Sequence, residues 1–83
     1  MKFTRKEIEA KVNGVILDKL FVEEEDCKPD ARLTFDLGAD SLDVVDVLMS
    51  LERKFSVRFT DEETDRFANC SVSDICDMIE SKL

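Results

Sequence analysis

At 83 residues the chain has room for one domain, residues 1–83, with a small core and modest stability. Hydrophobic residues make up 43% of it and charged residues 39%, and the apolar ones recur with a helical period, as in a globular helical domain rather than a disordered segment. A formal net charge of −8 argues against binding nucleic acid or an anionic membrane surface, and suits steering toward proteins with basic patches.

Four helical segments follow in chain order. The first is predicted from about Thr4 to Leu20, where Thr4 and Glu7 have the spacing of a capping box and Phe3 and Ile8 that of a hydrophobic staple. Ile8, Val12, Val15, Ile16 and Leu20 form its apolar face, which overrides the cost of an interior Gly14. No helical period runs from Phe21 to Asp40. Glu23-Glu24-Glu25-Asp26 reads as a solvated charge run, and the alternation of Leu33, Phe35 and Leu37 with Thr34 and Asp36 predicts an extended stretch on the core. The second helix is predicted from Ser41 to about Phe55, with Asp40 as N-cap, Asp43 in the first turn, and Arg53 and Lys54 at the negative end of the dipole. A short third helix starts at the Thr60–Glu63 capping box and ends near Phe67. The fourth starts after Ser71, with Val72, Ile75, Cys76, Ile79 and Leu83 along one side. The fold class is all-α: a small four-helix bundle with a long loop between helices 1 and 2 and a short third helix.

No apolar run approaches a membrane span, so membrane insertion is not expected. Met1-Lys2-Phe3-Thr4 begins no signal peptide, so the expected location is cytoplasmic, or a mature form whose targeting segment was removed. Cys27, Cys70 and Cys76 are an odd number without paired spacing, and the chain contains no His. They read as partly buried thiols rather than as a disulfide framework or a zinc site.

The second helix carries two apolar stripes. At about 100° per residue, Val44, Val47, Leu48, Leu51 and Phe55 cluster as a core face. Leu42, Val45 and Met49 form a narrower stripe roughly opposite, with Asp43 and Asp46 on one flank and Glu52 on the other. Two readings stand: scattered surface hydrophobics, or a partner-docking surface with an apolar centre and a charged rim. Ser41 starts this helix. It is either a polar residue tolerated at a helix start or a hydroxyl with a role. Without His it is no Ser-His-acid nucleophile. Composition allows a Ser-Lys pair, but no Lys lies close in sequence and so small a domain offers little room for a substrate cleft. The sensible role is passive: a hydroxyl that another enzyme modifies, at a helix N-terminus where an anion is tolerated.

The stretch Phe35-Asp36-Leu37-Gly38-Ala39-Asp40-Ser41-Leu42-Asp43 is similar to the signature around the modified serine of acyl carrier proteins. Val44-Val45-Asp46-Val47-Leu48-Met49-Ser50-Leu51-Glu52 resembles that family's second helix, and the likeness extends over about residues 5 to 80. The Gly-Ala-Asp-Ser-Leu core favours acyl over peptidyl carriers. The resemblance implies an acyl-carrier-like bundle that is no enzyme. In it Ser41 would receive 4′-phosphopantetheine from coenzyme A through a separate phosphopantetheinyl transferase, and the arm's thiol would hold acyl chains as thioesters. Asp40, Leu42, Asp43, Val45, Asp46 and Met49 match the positions by which the family's second helix meets its enzymes. Those implied are the acyltransferase, ketosynthase, reductases and dehydratase of fatty acid biosynthesis, served by a monomer. Arg53-Lys54 stands where many members continue with acidic residues, Asn69-Cys70 where a Thr is frequent, and Lys2, Arg5, Lys6 and Lys11 make the first helix basic. These departures bear on the pathway: a carrier for a specialised polyketide or lipid, or a structural subunit of a larger assembly, are the alternatives.

Overall fold

A computed structural model of the chain describes residues 3–83; Lys2 lies outside the described residues. Four α-helices form the fold: α1 (Arg5–Lys19), α2 (Ser41–Phe55), α3 (Asp61–Phe67) and α4 (Val72–Glu80). Each starts at a reciprocal capping box, on Thr4 and Glu7, Asp40 and Asp43, Thr60 and Glu63, and Ser71 and Asp74. Two of the orphan N–H groups at each start are thereby satisfied by local chemistry alone. The long loop, the short α3 and the all-α class stand as the sequence predicts. No helix among the described residues is long and apolar enough to cross a membrane.

α1 packs against α4 and α2, and α2 also meets α3. Ile8, Val12, Ile16, Leu33, Val47, Leu51, Phe67, Ile75, Cys76 and Ile79 are fully enclosed. Each such apolar side chain contributes about 1.5–3 kcal/mol relative to exposure. Phe3 sets its ring edge-on against Phe55 at 5.3 Å, tying the entry of α1 to the end of α2. Arg5 is the main polar fastening between α1 and α4. Its Nη1 reaches Asp77 Oδ1 at 2.7 Å and Glu80 Oε1 at 2.8 Å, while Nε bonds Glu9 at 3.1 Å. Lys82 holds Glu63 at 2.7 Å, which anchors α3 to the end of the chain and keeps the Glu63 carboxyl below its ordinary range.

The α1–α2 connection differs from the extended reading of residues 33–37. The Glu23–Asp26 run is exposed, as expected, and Glu24–Asp26 form a single 3-10 turn in which Asp26 accepts from the Glu23 N–H. Residues 33–37 are turns: the N–H groups of Asp36 and Leu37 both donate to Arg32 O, at 2.9 and 3.1 Å. An extended stretch would put Leu33, Phe35 and Leu37 on one face. A helical-type turn instead aligns only Leu33 and Leu37, both buried, and sends Phe35 outward at 66% exposure beneath the Arg32 guanidinium. The connection is pinned to the α3–α4 junction by backbone bonds, Val72 N–H to Ala31 O and Ser73 N–H to Pro29 O, both 2.9 Å. Gly38 then turns the chain into α2 with φ +72°, a conformation a side chain would strain.

Candidate functional site

Asp40 enters α2 in extended backbone, and its Oδ1 accepts from the Asp43 N–H at 2.9 Å. Asp43 Oδ2 returns the bond, accepting from the Asp40 N–H at 3.2 Å. Because these two carboxylates do the capping, Ser41 occupies the first helical position with an exposed hydroxyl that the cap does not need. Beside it lies a groove of about 450 Å³ lined by Thr34, Ala39, Asp40, Ser41, Val44, Ala68 and Asn69. No Lys lines this groove, so the structure offers Ser41 no Ser-Lys pairing there.

The second stripe of α2 faces solvent. Leu42 is 81% exposed, Val45 53% and Met49 48%, whereas Val44, Val47, Leu48, Leu51 and Phe55 are buried as the core face. Of the flanking carboxylates, Asp40 and Asp43 are partly committed to the cap. Asp46 stands half-exposed and 3.6 Å from Lys19 Nζ of α1. Glu52 is not a rim group in the same sense, since its Oε2 accepts from the Phe59 N–H at 2.9 Å and holds the α2–α3 connection. The structure thus gathers Asp40, Ser41, Leu42, Asp43, Val45, Asp46 and Met49 onto one exposed side, starting at the groove.

Thr34, Ala68 and Asn69 at the groove were not legible as site residues. They reach Ser41 because the long loop is bonded to the end of α3: the Thr34 N–H donates to Ala68 O at 3.4 Å, and the Thr34 side-chain Oγ1 donates to the same oxygen at 2.9 Å. The three cysteines lie elsewhere. Cys27 and Cys70 are half-buried and Cys76 fully so; burial raises all three thiols, Cys76 to about 11.

An exposed helix-start hydroxyl, an adjoining groove and an apolar stripe with an acidic rim fit a tethered prosthetic arm. Comparison with known proteins decides which. The family profile for the phosphopantetheine attachment site (PP-binding) matches residues 10–79. An acyl carrier protein of Thermotoga maritima is 42% identical over 80 residues, covering 96% of both chains. The chain belongs to the acyl carrier protein family. The solved structure of the acyl carrier protein from Enterococcus faecalis superposes with a TM-score of 0.80 at 27% identity, over 98% of this chain and 100% of that one. The family's cofactor is 4′-phosphopantetheine. The groove beside Ser41 fits such an arm: Ala39, Val44 and Ala68 supply apolar surface, and Thr34 and Asn69 polar groups at its edge. As an acyl carrier the chain holds its cargo on that arm rather than performing catalysis itself.

Proposed function

We propose that Ser41 is the residue that bears the arm, and that the chain delivers acyl intermediates between the enzymes of fatty acid biosynthesis as a cytoplasmic monomer. The observation that carries the attachment site is the division of labour at the start of α2: Asp40 caps the helix, so the Ser41 hydroxyl is exposed and free for modification. A phosphopantetheinyl transferase would supply the arm from coenzyme A. Ser41 Oγ forms the new P–O bond as adenosine 3′,5′-bisphosphate departs, and the hydroxyl proton passes to a base on the transferase. When bound, the arm supplies a terminal thiol for thioesters. The chain's own residues then present it. Leu42, Val45 and Met49 give partner enzymes an apolar centre, and Asp40, Asp43 and Asp46 an acidic rim that hastens encounter while leaving contacts weak enough to release. Tethering turns a dilute intermediate into one at high effective concentration.

A carrier dedicated to a polyketide or other specialised lipid is the second reading. It is favoured by Arg53 and Lys54, which stand exposed and, among the described residues, free of ion pairs at the end of the same helix. Incubation with coenzyme A and a broad-specificity transferase tests the attachment: intact mass should rise by one arm in the wild type and not in Ser41→Ala. A mass gain that survives Ser41→Ala would place the arm elsewhere. Acyl groups on protein purified from its native source separate the pathways, saturated and 3-hydroxy chains marking fatty acid synthesis.

A further inference from the structure

The exposed stripe of α2 does not end at Met49. With Leu42 as origin, Met49 falls at about 340° and Arg53 at about 20° around the helix, so Arg53 continues the stripe about 18 Å along the axis from Ser41. There Ser56, in left-handed backbone, ends the helix, and Val57 and Arg58 beyond it line the same depression as Met49. Met49, Glu52, Arg53, Ser56, Val57 and Arg58 line a depression of about 440 Å³. Its apolar wall is Met49 and Val57, and its basic groups are the exposed Arg53 and Arg58. Glu52, the carboxylate in this depression, is turned to the backbone by its bond from the Phe59 N–H. Among the described residues neither guanidinium has a carboxylate oxygen within 4.0 Å, and the side-chain bond of Arg53 is a long one, 3.4 Å to Ser50 Oγ.

Two unpaired guanidinia at an apolar depression are out of keeping with a chain of net charge −8. They make the α2 surface bipolar: acidic around Ser41, apolar along the middle, basic at the far end. We propose that the enzyme that modifies Ser41 docks along this whole stripe, with basic groups against Asp40 and Asp43 and, about 18 Å away, an acidic side chain seated between Arg53 and Arg58. The inference rests on Ser41 being the modified residue. Of all the carrier's partners, the transferase must bring Oγ itself, not the tip of a flexible arm, into its active centre. Its tolerance for misorientation is therefore smallest. An acidic rim alone attracts a basic surface in either direction along the helix, whereas opposite charges at the two ends penalise the reversed pose. Guanidinium suits the distal contact, because its planar fork can hold a carboxylate with two parallel bonds.

The test is steady-state loading of the apo protein with coenzyme A by the transferase of its own source organism, at low salt. Arg53→Glu with Arg58→Glu should raise KM for the carrier about five- to tenfold with kcat within about twofold, the mark of lost binding rather than lost chemistry. Arg53→Gln with Arg58→Gln should give a smaller rise in the same direction, and both effects should shrink as salt screens the charges. Asp43→Lys serves as the proximal comparator and should also raise KM. A uniformly basic docking surface on the transferase would instead bind the two added carboxylates better; an unchanged or lowered KM in the Glu variant overturns the proposal. If the wild type takes up no arm even from a broad-specificity transferase, the carrier assignment of Ser41 fails first. If it loads normally and KM does not rise, only the bipolar docking fails.

Discussion

Asp40 carries two duties that substitution can separate, capping α2 and placing a negative charge beside Ser41. In Asp40→Ala the Asp43 N–H loses its 2.9 Å partner, and the Asp43 carboxylate loses the geometry of the reciprocal bond. Losing an N-cap of this kind costs about 1 kcal/mol, within a range of roughly 0.5–2 kcal/mol. For a domain of this size, that lowers Tm by about 4–8 °C. Asp40→Asn keeps the acceptor and gives up the charge, so it should cost only the interaction with the helix dipole, about 0.3–1 kcal/mol. If Ser41 bears the phosphodiester of the arm, as proposed, a repulsive charge term opposes the dipole term. Like charges some 4–8 Å apart repel by roughly 0.5–1 kcal/mol in high dielectric, so Asn should be close to neutral in the loaded protein. The assay is thermal unfolding of wild type, Asp40→Ala and Asp40→Asn, each before and after loading, with amide exchange at Asp43 as the local readout. If Ala leaves Tm within a degree or so of wild type, or if Asn costs as much as Ala in both forms, the capping account is wrong.

Gly14 lies exposed inside α1, and a Cβ there would meet nothing within 4 Å. Gly14→Ala should therefore stabilise the fold by about 0.4–1 kcal/mol, seen as a higher denaturation midpoint at unchanged m-value; no gain would mean that α1 needs the glycine for a reason its geometry does not contain. Cys76, enclosed and with its thiol pushed up to about 11, should resist alkylation at neutral pH until the domain unfolds, whereas Cys27 and Cys70 label first. Mass mapping of partially labelled protein checks this, and equal labelling of Cys76 and Cys27 in native buffer would refute it.

The helix starts were legible because a capping box is a local device. Thr4 with Glu7, and Thr60 with Glu63, need only three residues of spacing to announce themselves. The core face of α2 and its exposed stripe were equally open, since periodicity sorts residues before any partner is known. Leu33-to-Leu37 misled for a physical reason. Apolar residues at i, i+2 and i+4 satisfy a strand, but the outer pair also satisfies a helical-type turn, and only the bonds back to Arg32 O decide between them. The groove wall was hidden because Thr34 meets Ala68 across 34 positions of chain, a pairing that no short window contains. Asp43 and Glu52 look alike as rim carboxylates in sequence, yet Asp43 caps α2 and Glu52 holds the Phe59 amide.

The Arg5 clamp has a topological consequence. By bonding Asp77 and Glu80 it brings the entry of α1 and the exit of α4 together at one corner of the domain. A unit whose first and last helices meet at one corner can be spliced into a surface loop of a host protein without prising its bundle apart. For the same reason a short linker can run from the exit of α4 to the entry of α1, with new ends opened in the exposed Glu23–Asp26 run, leaving the α2 face whole. The architecture is thus suited to modular transplantation, as a movable cassette that brings its exposed α2 face with it.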